Sequence, residues 1–171
     1  MDKVDISVHL KEGMFNYRVG AVILDEDKVL LAKNNGSEHY YTVGGRVRFG
    51  ESAQEAVLRE VYEELSVKLE IEKMIYIHEN FFTWESNARP CHEIALFFLM
   101  KPNPQLRALK LDPVSEEYGD VSFHWLSVDE LEKLTVYPDF LKFELRKRKK
   151  KVRHLITKSG KTVSASKHIC I

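Results

Sequence analysis

Residues 44–67 read GGRVRFGESAQEAVLREVYEELSV, a glycine-rich turn running into a helix-forming segment that carries Arg59, Glu60, Glu63 and Glu64. Residues three or four apart share a helix face, so these glutamates are like-charged neighbours, each such pair weakening a helix by about 0.2–0.5 kcal/mol. Arg59 can offset part of this by pairing with Glu63 or Glu55 at a spacing of four. One guanidinium does not neutralise three carboxylates. A hard divalent ion would, because Mg²⁺ takes oxygen ligands and is held by a few carboxylates together with waters and substrate phosphates. The plainer reading of the helix alone is a solvated acidic face with ordinary salt bridges.

The residues ahead of the helix shift that balance. Gly44, Gly45 and Gly50 permit backbone conformations that a side chain would obstruct and let main-chain groups approach a ligand closely. Ser52 suits an N-cap for a helix beginning near Ala53, with Glu55 at the reciprocal capping-box position. A glycine loop therefore feeds a helix whose far end carries the carboxylates.

Counted from Gly45, the pattern is glycine, five residues, Glu51, seven residues, then Arg59-Glu60-Val61-Tyr62-Glu63-Glu64. This spacing resembles the Nudix box of the MutT-like pyrophosphohydrolases, with every charged position of the box present. Two positions depart from it: Ser66 stands where the family usually has glycine, and Val43 where proline often precedes the glycines. Neither carries the chemistry, so altered loop or helix-end geometry is expected rather than loss of activity.

The resemblance implies an α/β fold, a mixed β-sheet sandwiched between α-helices, with Mg²⁺ as cofactor and Mn²⁺ as the alternative. It implies Glu63 and Glu64 as principal metal ligands, Glu60 as a ligand or as the base that activates water, and a backbone carbonyl from Gly44. Arg59 would orient the carboxylates through salt bridges, and Glu51 would support the site directly or through that network. The chemistry is consistent: a diphosphate repels a nucleophile, so a catalyst must neutralise phosphate oxygens, position water and remove its proton.

Further candidates rest on less. Glu93 begins an apolar strand pictured beside the box helix, and Glu116 and Glu117 lie in an acidic loop where the family often places another carboxylate. Arg18, Arg46 and Arg48 could contact phosphates, since guanidinium groups suit bidentate recognition. Tyr40, Tyr41, Phe81, Phe82 and Trp84 could stack on a base, although aromatic residues in strands are more often core. His78, His92 and His124 show no zinc-ligand spacing and read as structural. The attached group would be read by loops at 34–40 and 83–90.

Working outward, Asn16–Leu24 and Lys28–Lys33 read as a hairpin about the acidic turn Asp25-Glu26-Asp27. Short strands flank the glycines. The helix offers Ala53, Ala56, Val57, Tyr62 and Leu65 as an apolar stripe. Lys68–Asn80 and Glu93–Met100 read as longer strands, Val121–Leu126 as another, and Ser127 with Glu130 as the capping box of a second helix.

The 171-residue chain, 44% hydrophobic, suits one domain with a substantial core. The early acidic residues do not fit a secretory signal. The longest apolar run, 94–100, is too short to cross a bilayer. Two cysteines, Cys91 and Cys170, make no disulfide framework. A cytoplasmic protein without membrane partners is expected.

A net charge of zero hides an asymmetry. Residues 1–141 hold 15 Lys+Arg against 25 Asp+Glu, a net of −10, while residues 142–171 hold 11 against 1, a net of +10. Residues 1–145 are expected to form the Nudix domain, and 146–171 a basic C-terminal extension packed on it. Its run 146–151 continues a helix in this reading, with a small hairpin after it. Such a run attracts phosphates, but it lacks interleaved aromatics, so folding onto the acidic body or a homodimer contact is the preferred account over nucleic acid.

Three functions follow. The first is Mg²⁺-dependent hydrolysis of a small-molecule nucleoside diphosphate derivative, such as a nucleotide sugar, ADP-ribose or a nucleoside triphosphate. The second is removal of pyrophosphate from RNA 5′ ends, with the basic tail holding the chain. The third is a non-catalytic nucleotide-binding module, which the intact charged box disfavours.

Overall fold

The computed structural model describes residues 4–84, 88–108, 114–116, 119–147, 151–159 and 161–165. Strands dominate: β1 (Ser7–His9), β2 (Met14–Val22), β3 (Leu24–Asp25), β4 (Lys28–Asn34) and β5 (His39–Tyr41) precede helix α1 (Ala53–Leu65). After it come β6 (Ile71–Trp84), β7 (Arg89–Met100), the short helix α2 (Gln105–Ala108), β8 (Val114–Glu116) and β9 (Gly119–Ser127). The chain closes with a 3₁₀ turn (Leu131–Lys133), β10 (Thr135–Tyr137), the short helix α3 (Leu141–Glu144), β11 (Arg153–Lys158) and β12 (Lys161–Ala165).

Two sheets result, in the orders β1-β2-β7-β6-β11-β12 and β10-β5-β4-β9-β8, with β3 beside β4. Both are mixed: in the first, β2 runs parallel to β7 and β11 to β6, and in the second, β10 runs parallel to β5. Successive strand residues face opposite sides, and here that alternation feeds two cores. Val19, Ala21, Leu30, Ala32 and Phe98 join the core under α1. Val22, Val29, Leu31 and Phe97 join one closed by Leu131, Phe140 and Leu141. Helical segments thus cover both faces, which gives the α/β sandwich that the resemblance implies. Among the described residues no helix is long and apolar enough to cross a membrane.

Helix α1 begins and ends where its residues require. Ser52 caps it, and Ser52 and Glu55 form the reciprocal capping box, an arrangement in which the cap residue alone contributes about 1 kcal/mol. Glu55 is therefore engaged with Ser52. Ala56, Val57, Val61 and Leu65 form the buried stripe. Tyr62 was expected there but is 52% exposed, because Val61 and Leu65, four apart, already define the inward face. Ser66 ends the helix with φ 56°, in the left-handed region, its N–H bonded to the Tyr62 carbonyl. Glycine takes this conformation without penalty, which gives the box's usual glycine a physical reason.

Other expectations need correction. Strands β2 and β4 do not form a hairpin, since β2 pairs with β7 in the other sheet and only β3 turns back on β4. Ser127 opens no α-helix; a 3₁₀ turn follows, without a side-chain cap. The basic run does not extend a long helix as far as it is described: α3 stops at Glu144. The hairpin after it is present as β11 and β12, and β11 is built into the first sheet against β6.

One buried polar group gives the fold a pH signature. His78 is 1% exposed, with Nε2 2.8 Å from the Thr157 hydroxyl. Burial, helped by the charge of His154, pushes it down from 6.5 to about 4. The unfolded chain takes up this proton below 6.5 and the folded chain only near 4. The stabilisation is therefore complete above pH 6.5 and lost as pH falls toward 4, by about 3 kcal/mol. His78→Gln is expected to flatten that part of the stability profile, as measured by denaturant melts from pH 7 to 4.

Candidate active site

The glycine loop is laid along β2 as an extra, irregular strand. Ala21 N–H donates to the Val43 carbonyl (2.8 Å), Val19 N–H to that of Gly45 (2.9 Å), and Val47 N–H to that of Tyr17 (3.0 Å). With the carbonyls of residues 43 and 45 turned toward β2, strand alternation turns the Gly44 carbonyl the other way. Gly44 has φ 147°, and a Cβ there would lie 2.2 Å from the Val19 carbonyl oxygen. A Cβ on Gly45 would lie 2.4 Å from a Glu60 carboxylate oxygen. The two glycines thus have different tasks: Gly44 lets the loop approach β2, and Gly45 leaves room for Glu60.

That difference is testable. Gly44→Ala meets fixed backbone and should lower stability. Gly45→Ala meets a movable carboxylate, and should lower activity with a much smaller change in melting temperature. Parallel thermal melts and hydrolysis rates on the two variants separate the effects.

Arg59 is the hub. Its Nε donates to Glu51 Oε1 (2.8 Å) and Nη2 to Glu51 Oε2 (3.0 Å), a two-pronged pair. Nη1 reaches Glu60 Oε1 (2.6 Å) and Glu63 Oε2 (3.0 Å), while Nη2 also donates to the Arg46 carbonyl (3.0 Å). Arg48 N–H donates to Glu51 Oε2 (3.0 Å), tying the loop to the same carboxylate. Glu64, on the buried face, accepts from Gly44 N–H at 2.8 Å. Four carboxylates from loop and helix are thereby gathered about one guanidinium and one glycine.

Their environments diverge. Hydrogen bonds from Arg59 hold Glu51 below the usual carboxylate range, against the upward push of burial. Burial raises Glu60, with Arg59 opposing and Glu63 adding to the rise. Burial works against the charged form of Arg59, but the bonds from Glu51, Glu60 and Glu63 outweigh it and its pKa rises. Glu51 is 4% exposed and Glu63 45%, so the first is a buried anchor and the second faces solvent.

The remaining candidates fall into two groups. Arg18, Arg46 and Glu93 come together. Residues 18 and 46 are bridge partners across β2 and the loop, and Arg18 Nε lies 3.9 Å from Glu93 Oε2. Burial raises Glu93, with Arg18 and Arg46 pulling it back. Glu93 sits within β7, opposite Asn16 of β2, and the same strand reaches the core under α1 through Phe98. Glu117 lies outside the described residues, and Glu116 ends β8. The aromatic candidates are only partly buried; Phe81 stacks on His92 and Tyr40 meets His124 edge-on.

A cavity of about 520 Å³ lies beside the paired strands β6 and β7, lined by Phe15, Phe81, Phe82, Pro90 and His92 among others. A more polar one of about 310 Å³ is lined by residues 33–38 with Tyr40, Ser122 and His124. Two site neighbours escape the sequence reading, Asn16 and Asp5. Asn16 is fully buried and donates to Cys91 Sγ (3.7 Å), and Asp5 lies 3.8 Å from both Arg46 and Arg48. Only the alternation of Ile6 and Val8 hints that a strand carries Asp5 there.

Comparison with known proteins bears on the fold and the family. The MutT protein of Bacillus halodurans is 18% identical and superposes with a TM-score of 0.60 over 88% of this chain and 96% of its own. The MutT protein of Methanosarcina mazei Go1 is 22% identical, with a TM-score of 0.58 over 81% and 95%. The MutT Nudix hydrolase of Burkholderia pseudomallei is 21% identical, with a TM-score of 0.58 over 78% and 98%. These likenesses are of fold. The NUDIX domain model itself matches residues 14–150, the glycine loop and box helix included. With that match spread over most of its length, the chain belongs to the NUDIX domain family of pyrophosphohydrolases.

Proposed function

We propose that the protein is a divalent-metal-dependent hydrolase, using Mg²⁺ or alternatively Mn²⁺, that cleaves the diphosphate linkage of a nucleoside diphosphate derivative. A nucleotide sugar, ADP-ribose or a nucleoside triphosphate fits this description. The observation that carries the reading is Arg59, which pins Glu51, Glu60 and Glu63 beside the Gly44-Gly45 loop.

The donor set suits a hard cation, because Glu60, Glu63, Glu64 and the Gly44 carbonyl offer only oxygen. Among the described residues no three acidic, histidine or cysteine side chains already converge as a cage. Arg59 and the Gly44 N–H hold the carboxylates instead, and Glu63, the most exposed, is the freest to turn. When bound, the ion would supply charge neutralisation on phosphate oxygens and a more acidic water. Glu60, whose burial raises its proton affinity, is assigned to accept the proton of the attacking water.

Arg18 and Arg46 are assigned to the substrate phosphates. Arg46 Nε is buried without a hydrogen-bond partner, a donor that an anion would satisfy. The RNA reading gains less from the structure. Arg146 pairs with Asp129 and Glu132, and Lys147 and Arg153 pair with Glu144, so three basic residues of the tail already have partners within the chain. Deleting 146–171 would also remove β11, so charge reversal at 148–151 is the cleaner probe of RNA. A panel of diphosphate substrates with Mg²⁺, read by product mass, tests the main reading. Its defeat would be no product from any of them while Glu63→Gln binds them equally well.

A further inference from the structure

The two arginines assigned to the substrate phosphates, Arg18 of β2 and Arg46 of the glycine loop, are bridge partners. Residues directly opposite across paired strands project to the same face, and like charges placed so repel. Two guanidinium groups side by side are therefore unfavourable while no anion is bound. Their counterweight lies one strand over.

In the parallel register of β2 and β7, Arg18 stands beside Ala95 and Asn16 beside Glu93. These four side chains share one face, the one that Ala95 carries into the core closed by Phe140 and Leu141. Ala95 is too small to fill the space beside Arg18, and Glu93 Oε2 lies 3.9 Å from Arg18 Nε. That contact is on the stem side of the guanidinium, which leaves its terminal edge, with the two Nη nitrogens, for another anion. Glu93 is the deeper of the pair, 14% exposed against 35% for Arg18. Burial opposes its charged form, while Arg18, Arg46 and Asn16 favour it. Asn16 is itself fully buried and held by the Ser7 hydroxyl at 2.8 Å. Arg46 has its own acid in Asp5, 3.8 Å from Nη1.

We propose that Glu93 is a positioning residue for phosphate recognition, holding Arg18 through Nε against the repulsion of Arg46, with the terminal guanidinium edge presented to the diphosphate. This rests on the assignment of Arg18 and Arg46 to the phosphates given above. Positioning and bulk charge predict opposite signs. A carboxylate beside an anion site repels the anion, so by charge alone Glu93→Gln binds phosphate more tightly. With Glu93 as the support of Arg18, the same change weakens binding by about three- to fivefold, the scale of one partly exposed ion pair.

The test is titration of inorganic pyrophosphate into the full-length protein, followed by ³¹P NMR, with chelator present so that the arginines rather than a metal ion are read. Thermal melts confirm folding. Glu93→Gln is expected to weaken binding and, on the best substrate of the panel, to raise KM more than it lowers kcat. Glu93→Asp keeps the charge but withdraws it by a methylene; its expected affinity falls between those of Glu93→Gln and the unaltered protein, and it replaces Glu93→Gln if that variant does not fold. In the Arg18→Gln background, Glu93→Gln should no longer weaken binding. An undiminished loss there overturns the proposal. So does pyrophosphate bound equally or more tightly by folded Glu93→Gln while Arg18→Gln binds it weakly, a result that leaves the phosphate assignment standing. Arg18→Gln that binds like the unaltered protein, or unaltered protein that binds no pyrophosphate, defeats the phosphate assignment itself and the proposal with it.

Discussion

Glu63→Gln is expected to lower kcat/KM on the best diphosphate substrate by about a hundred- to a thousandfold, with the melting temperature nearly unchanged. The two halves of this prediction come from different features of the same side chain. Glu63 is exposed and reaches Arg59 and Arg48 from the helix surface, and exposed pairs contribute little to stability. Losing its charge also relieves repulsion from its glutamate neighbours on the helix. What the amide cannot do is supply a charged oxygen ligand where phosphate charge must be neutralised. Steady-state kinetics beside a thermal melt reads both halves, and an active variant would remove Glu63 from the metal site.

Arg59→Leu should show the opposite balance, a loss of about 3–5 kcal/mol in stability in addition to lost activity. Removing this guanidinium strands Glu51, which is nearly inaccessible to water and takes two hydrogen bonds from Arg59. It also leaves the Arg46 carbonyl without that donor. Arg59→Lys would not repair the site, because a point charge cannot reproduce the planar fork that spans Glu51, Glu60 and the carbonyl. If the cost is that of a buried uncompensated charge, Glu51→Gln in the same chain should recover part of it. Denaturant unfolding of the single and double variants measures this directly.

The parts of the molecule legible in the sequence are those decided by neighbours along the chain. The bounds of α1 and its capping box depend on Ser52, Glu55 and the residues between, and they stand as read. The inward face was less secure: Val61 and Tyr62 are both apolar and adjacent, and only the packing against β2 chooses between them. Strand partners were hidden for the same reason. Nothing within 16–33 shows that β2 will seek β7, far along the chain, rather than β4. The presence of Glu51 and Arg59 was legible, but the two-pronged contact between them was not, since the loop from 46 to 50 must first bend back toward the helix. Asp5 was invisible because its relevance comes wholly from the partner its strand selects.

The placement of β11 between β6 and β12 has a consequence for how the chain matures. During synthesis the box helix, β6 and β7 all emerge well before Arg153, and until then the stretch of β6 from Tyr76 to Phe81 borders its sheet as an edge awaiting its partner. Long exposed edges invite pairing with other chains, and larger domains are most at risk while such edges await their partners. The C-terminal strand therefore acts as a seal. Chains cut short before it should aggregate rather than accumulate as a smaller working enzyme, even though every residue of the catalytic box is already present.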